Sequence, residues 1–102
     1  MQNATTERRQ TRRENVSEFV LICPCDSEYP EEVCTTLNVS GTGIYFATSK
    51  DHYYPGMNVI VTFDSRPAGA MPQDYIGDII RVERLDNSKW GVAIRILMPN
   101  IP

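Results

Sequence analysis

At 102 residues, the chain has the length of one domain with one modest core. With 41 % hydrophobic and 23 % charged residues and a net charge of −3, it reads as a folded protein rather than a disordered one. No apolar run is long enough to cross a membrane and none follows the N-terminal charges as a signal peptide requires, so a soluble, cytoplasmic protein without membrane insertion is expected, and a secreted disulfide scaffold or large multi-site enzyme is disfavoured.

Residues 1–15 are polar and lack apolar periodicity; they are expected to form a flexible, Arg-rich N-terminal arm. Residues 1–16 hold Arg8, Arg9, Arg12 and Arg13 against Glu7 and Glu14, a net +2. Residues 17–102 hold six basic and eleven acidic residues, a net −5. A general nucleic-acid binder carries a basic face over its whole domain. This acidic body therefore disfavours a nucleic-acid polymer as a direct partner, while a small anion held by the local Arg cluster stays open. Arg9 and Arg13 are four apart, as are Arg8 and Arg12. Like charges at that spacing destabilise an isolated helix, so the arm is expected to be extended or adaptable.

Short strands follow. Residues 18–23 (EFVLIC) form an apolar run closed by Pro24. Residues 26–32 are acidic, contain Pro30 and read as a loop. Residues 33–37 carry β-branched side chains and read as a strand. Residues 38–43 (NVSGTG) are rich in turn formers. Residues 44–47 form a short strand, Tyr54-Pro55-Gly56 marks a turn, and residues 58–63 (NVIVTF) form the next strand. Residues 64–73, with Pro67, Gly69 and Pro72, read as a long loop. Residues 75–83 form a strand in which Asp78 interrupts an apolar face of Ile76, Ile80 and Val82. After a turn at 85–88, residues 89–97 alternate cleanly: Trp90, Val92, Ile94 and Ile96 on one face, Gly91, Ala93 and Arg95 on the other. Six strands with no helical stripe predict an all-β fold, a small six-stranded antiparallel β-barrel with little or no helix, whose closure removes exposed edges. The barrel is expected over 16–98, with a short tail over 99–102.

The cysteines are Cys23, Cys25 and Cys34, an odd number that fits free thiols in a reducing compartment. Cys23-Pro24-Cys25 leaves one residue between its thiols, where a zinc knuckle leaves two to four, so Cys23 and Cys34 read as small apolar strand residues and no metal site is expected. The lone His52 has no evident nucleophile partner, and no paired carboxylates stand out; the chain is not expected to be an enzyme.

Two polar features invite a function. In an extended segment Asn38 and Ser40 point the same way, and Gly41 and Gly43 allow a close approach to the backbone or a positive φ. An amide and a hydroxyl so placed can read a base edge and touch a phosphate, although ordinary Asx and Ser turns have the same composition. The four arginines of the arm offer planar forks that bond phosphate or the guanine O6/N7 edge and stack on a purine, although charge runs are often simply solvated.

Together, the arm Glu7-Arg8-Arg9-Gln10-Thr11-Arg12-Arg13 and the later loop Asn38-x-Ser40-x-x-Gly43 resemble the PilZ domain family, whose members carry an RxxxR arm and a D/NxSxxG loop on a small β-barrel. Ile44-Tyr45-Phe46, the Tyr54–Val59 turn and strand start, the 77–83 strand (GDIIRVE) and Trp90-Gly91-Val92-Ala93-Ile94 resemble further parts of that family, so the resemblance spans about residues 7–97. Arg9-x-x-x-Arg13 follows the paired-Arg start best, with Arg8-x-x-x-Arg12 as the other register. Ala93 stands where the family often has Gly, and the chain as given ends at Pro102, short of the C-terminal helix that many members carry.

The resemblance implies a non-enzymatic receptor for the second messenger cyclic di-GMP, with no other cofactor. Arg9 and Arg13 would contact guanine edges and phosphates, Arg8 or Arg12 would add cationic stacking, Asn38 would bond a guanine edge, Ser40 a phosphate or base, and Gly43 would keep the surface open. Trp90 would lend the ligand an aromatic wall or, since it sits on the apolar face of its strand, serve the core, the role expected here. Ordering of the arm on the nucleotide would alter the surface seen by a downstream protein partner, the receptor itself being a monomer or weak dimer. The competing readings are a PilZ-like protein-interaction module that does not bind the nucleotide, and an OB-type barrel for single strands, for which the acidic body lacks basic and aromatic strand faces.

Overall fold

In a computed structural model, which describes residues 18–63 and 74–100, every predicted strand forms. They are β1 (Phe19–Pro24), β2 (Glu32–Val39), β3 (Gly43–Thr48), β4 (Asn58–Phe63), β5 (Asp74–Arg84) and β6 (Trp90–Pro99). The arm predicted over 1–15 with Arg8, Arg9, Arg12 and Arg13, the loop predicted over 64–73 and the last two residues of the predicted tail lie outside the described residues. The six strands close an antiparallel barrel in the order β1-β2-β3-β6-β5-β4, with β1 pairing both β2 and β4. Among the described residues there is no α-helix, only a 3-10 turn at Asp86–Ser88, and no helix long and apolar enough to cross a membrane.

Alternation fills the interior. Val20 and Ile22 of β1, Ile44 and Phe46 of β3, Val59 and Val61 of β4, and Val92 and Ile94 of β6 all point inward and are buried. Each such side chain contributes about 1.5–3 kcal/mol through removal from water. Tyr53 and Met57 enter from the β3–β4 connection. Its turn is of type II: Pro55 leads, Gly56 takes φ 95°, and the Met57 N–H donates to the Tyr54 carbonyl at 3.1 Å.

Among the described residues three β-bulges break the period, and each pushes one aliphatic side chain outward. In β5, Ile79 pairs with Ile94 and Arg81 with Ala93, leaving Ile80 without a partner. This overturns the expected face of Ile76, Ile80 and Val82: Ile79 is 1 % exposed and Ile80 50 %. In β6, Leu97 is the extra residue between Ile96 and Met98. In β2, Thr36 pairs with Phe46 and Asn38 with Tyr45, leaving Leu37 unpaired and exposed. Thr36 is fully buried, so an unbroken period would turn Asn38 inward as well; the bulge at Leu37 turns it to the outer face instead.

The end of the barrel beyond Thr48 is sealed by a carboxylate. Glu32 accepts hydrogen bonds from Thr48 Oγ1 and from the Tyr53 hydroxyl, both at 2.7 Å. Burial, and then the Glu32 bond, push the Tyr53 hydroxyl far above its ordinary range. Burial and the charge of Glu32 do the same to the neighbouring Cys34 thiol. Cys34 is buried, Cys23 half-buried and Cys25 exposed, all three as free thiols.

Candidate functional site

The outer face of β3, β6 and β5 is a small grid. Its rows, set by strand pairing, are Ala47–Gly91–Glu83, then Tyr45–Ala93–Arg81 continued by Asn38 on β2, then Gly43–Arg95–Asp78. Gly91 and Ala93 make the central strand low, and the flanking side chains stand above it as walls. The result is a groove of about 400 Å³ with Asn38, Ser40, Thr42, Gly43 and Tyr45 along one side, Ala93 and Arg95 along the central strand, and Ile80, Arg81 and Glu83 along the other side. That volume suits a small-molecule ligand.

Three predicted site residues, Asn38, Ser40 and Gly43, thus meet at one groove. Asn38 faces out because of the Leu37 bulge, and among the described residues none bonds its side-chain amide. Ser40 belongs to the tight turn between β2 and β3. Its N–H donates to the Gly43 carbonyl at 2.9 Å, and its hydroxyl accepts from the Thr42 N–H at 3.3 Å and donates to the Gly43 carbonyl at 3.4 Å. These hydroxyl bonds are long and leave Ser40 Oγ weakly committed. Neither Gly41 nor Gly43 uses a positive φ, contrary to one reason given for them. Gly43 is required by packing: a Cβ there would stand 2.6 Å from the Ile94 carbonyl oxygen. The tip of the turn is held down by the Ile96 N–H, which donates to the Thr42 carbonyl at 2.9 Å.

The first described residue is anchored nearby. The Glu18 N–H donates to Thr36 Oγ1 at 3.0 Å, and the Thr36 N–H donates to the Glu18 carbonyl at 2.9 Å. Glu18 is therefore held beside β2, against the residue two before Asn38. Arg8, Arg9, Arg12 and Arg13 themselves lie outside the described residues.

Four groove residues were not singled out by motif. Arg95 forms a two-pronged ion pair with Asp78, Nε to Oδ1 at 3.1 Å and Nη2 to Oδ2 at 2.8 Å. This bond holds the Asp78 carboxyl below its ordinary range. The Tyr45 hydroxyl donates to Glu83 Oε2 at 2.5 Å, and Glu83 Oε1 lies 3.4 Å from Arg81 Nε. The Arg81 guanidinium stands over the Tyr45 ring, 5.7 Å from its centroid. Desolvation and then the Glu83 bond raise the Tyr45 hydroxyl above its ordinary range. One signal was legible: Ile44 and Phe46 face the core, so Tyr45 must face out beside Asn38. Its partner Glu83 is 38 residues away and carried no such signal. Trp90 corrects another expectation. It is half-buried at the barrel end with Arg84 over its ring at 5.0 Å, and it neither joins the core nor lines the groove.

No family model and no curated protein matches the sequence. Among solved structures, the fold is similar to that of the inhibitor of motility MotI/DgrA of Bacillus subtilis, with a TM-score of 0.69 at 15 % identity over 89 % of this chain. The chain spans 43 % of the length of that protein. At such identity the likeness is one of fold, and with the closed six-stranded order it makes this chain a PilZ-like β-barrel.

Proposed function

We propose that the chain is a non-enzymatic receptor for cyclic di-GMP, which it holds between the outer-face groove and the arginine arm. The observation that carries this reading is the convergence of Asn38, Ser40 and Gly43 on one groove, with the root of the arm at Glu18 beside the same strand. Arg13 lies five peptide steps before Glu18, a span of at most about 17 Å, and Arg9 nine, a span of at most about 31 Å, lengths that let both extend toward a ligand seated there. The arm would supply guanidinium groups to phosphates and guanine edges, Asn38 an amide to a base edge, and Ser40 its weakly committed hydroxyl. Gly43 serves by letting β3 approach β6. Closing of the arm over the nucleotide would remodel the surface offered to a downstream protein, and no nucleic-acid polymer is needed. His52 supports the non-enzymatic reading, since it lies between the rings of Tyr29 and Tyr53, at centroid distances of 4.9 and 4.3 Å, and does not line the groove.

Calorimetric titration with cyclic di-GMP, beside an Arg9→Ala/Arg13→Ala double variant and with GTP as a control, tests this. Micromolar or tighter binding is expected, with about tenfold or more lost per arginine, since a charge-assisted bond is worth about 1.5–3 kcal/mol. Absence of binding by the unaltered protein overturns it. A second reading, a protein-interaction module that does not bind the nucleotide, is favoured by one observation: the groove's own arginines, Arg81 and Arg95, are each already paired with a carboxylate. Failure of the titration would leave this reading in place.

A further inference from the structure

We infer that the outward ring of Tyr45 is a stacking platform for a planar base, and that Glu83 is the positioning residue that holds it flat. The inference rests on the nucleotide-receptor reading for the class of its ligand, and on this chain's own geometry for the residues. Among the described residues, Tyr45 is the one aromatic side chain lining the groove. Its neighbours Ile44 and Phe46 are buried, so its ring stands on the outside of a closed barrel with no part in the core.

The ring is fixed at both ends. It starts on β3, crosses β6 over Gly91, and its hydroxyl is tied to Glu83 on β5 at 2.5 Å. A Cβ at position 91 would collide with that hydroxyl, so only glycine lets the ring lie across the central strand. One face is thereby closed by the Gly91 backbone, and the groove lies beside the ring. Arg81 stands over the ring, 5.7 Å from its centroid, with a side chain 56 % exposed and held by Glu83 at 3.4 Å; an incoming base takes that face as Arg81 swings out to cover it. Asn38, the strand partner of Tyr45, presents beside it an amide that no described residue bonds. A face from a clamped aromatic and an edge contact from an amide are what recognition of an unpaired base requires. Clamping matters because a ring already held in place loses little freedom when the base arrives. A ring that only covers Gly91 would need the same contact with β6, but it would not affect ligand affinity.

The test compares the unaltered protein with Tyr45→Phe, Tyr45→Leu and Glu83→Gln. Affinity for cyclic di-GMP is measured by calorimetry, and the ring signals of Tyr45 are followed by NMR during titration with cyclic di-GMP, GMP and AMP. The expected result is a five- to 150-fold loss for Tyr45→Leu, on the order of one lost base–aromatic stack. Tyr45→Phe, which keeps the ring, and Glu83→Gln, which loosens the clamp, should lose less, and the Tyr45 ring signals should shift on binding. If the unaltered protein binds cyclic di-GMP and a folded Tyr45→Leu variant binds equally well, the platform is overturned and the receptor reading stands. If Tyr45→Leu fails to fold, unshifted Tyr45 signals on binding to the unaltered protein overturn the platform in the same way, and shifted ones uphold it. If cyclic di-GMP does not bind but GMP or AMP shifts the Tyr45 signals, the receptor reading falls and the platform stands. If no nucleotide binds or shifts the ring, both fall.

Discussion

Gly43 and Ile94 lie so close that a Cβ at position 43 would stand 2.6 Å from the Ile94 carbonyl oxygen. That oxygen is backbone inside a paired strand and cannot swing away. The glycine of the loop motif is thus a structural requirement of the β3–β6 contact before it is anything else. Gly43→Ala should destabilise the barrel by about 1–3 kcal/mol, the usual cost of overpacking. A lower urea midpoint with an unchanged slope is expected, and an unchanged midpoint would refute the close approach. Lost ligand binding in that variant would report a displaced strand rather than a lost contact.

Glu32 offers a second test of packing. It accepts from both the Thr48 and Tyr53 hydroxyls, and those residues are 3 % and 5 % exposed. Glu32→Ala strands two buried donors, each at about 1–3 kcal/mol. Glu32→Gln keeps one acceptor oxygen and should cost less. The order of thermal midpoints should be unaltered protein, then Gln, then Ala. Equal midpoints for all three would mean that the seal contributes nothing.

The same cluster sets the alkaline limit of the fold. Burial raises both the Cys34 thiol and the Tyr53 hydroxyl, with Glu32 adding to each. In the unfolded chain these groups ionise near about 8.5 and 10. Above those values the unfolded state holds fewer protons than the folded one, so stability falls as pH rises. The contribution is complete below about pH 8.5 and declines above it, with a slope approaching one proton per group. Urea midpoints between pH 7 and 11 should show the decline. A thiol reagent at pH 8 should label the exposed Cys25 first and Cys34 only on unfolding. Rapid labelling of Cys34 in the folded protein would contradict the burial.

Much of the barrel was legible because alternation survives in it. Val92 and Ile94 against Gly91, Ala93 and Arg95 place the last strand correctly, and Tyr54-Pro55-Gly56 announces its turn. What was not legible follows from the bulges. An extra residue leaves no mark in composition, so Ile80 read as core and Ile79 as surface when the reverse holds. Asn38 and Val39 read as part of a turn but continue β2, because the bulge at Leu37 lets the strand run on with its faces exchanged. Asn38, Ser40 and Gly43 were found by motif since they are adjacent in sequence. Tyr45, Arg81, Glu83 and Arg95 were missed since only the register of β3, β6 and β5 brings them together.

The Arg95–Asp78 pair gives the most direct handle on the groove. Both partners are on its outer face, and the Arg95 side chain is 57 % exposed, so the pair adds little to stability. Its effect on an anionic ligand is larger, because Asp78 occupies the Nε and Nη2 side of the guanidinium, the two-pronged edge that would otherwise be open to a phosphate. Arg95 holds the Asp78 carboxyl below its ordinary range. The carboxylate's small contribution is therefore present above about pH 4, the unfolded value, and is lost only as pH falls through the lower folded one. Asp78 thus stays charged at any pH near neutrality, and only substitution removes it. Asp78→Asn should leave the unfolding midpoint unchanged and strengthen cyclic di-GMP binding. The gain should reach about tenfold if Arg95 makes one full charge-assisted bond to the ligand. Binding should also become more sensitive to salt, since one more exposed cation would then face the phosphates. Unchanged affinity and salt dependence in Asp78→Asn would show that Arg95 plays no part in holding the nucleotide and that the arm supplies the cationic contacts.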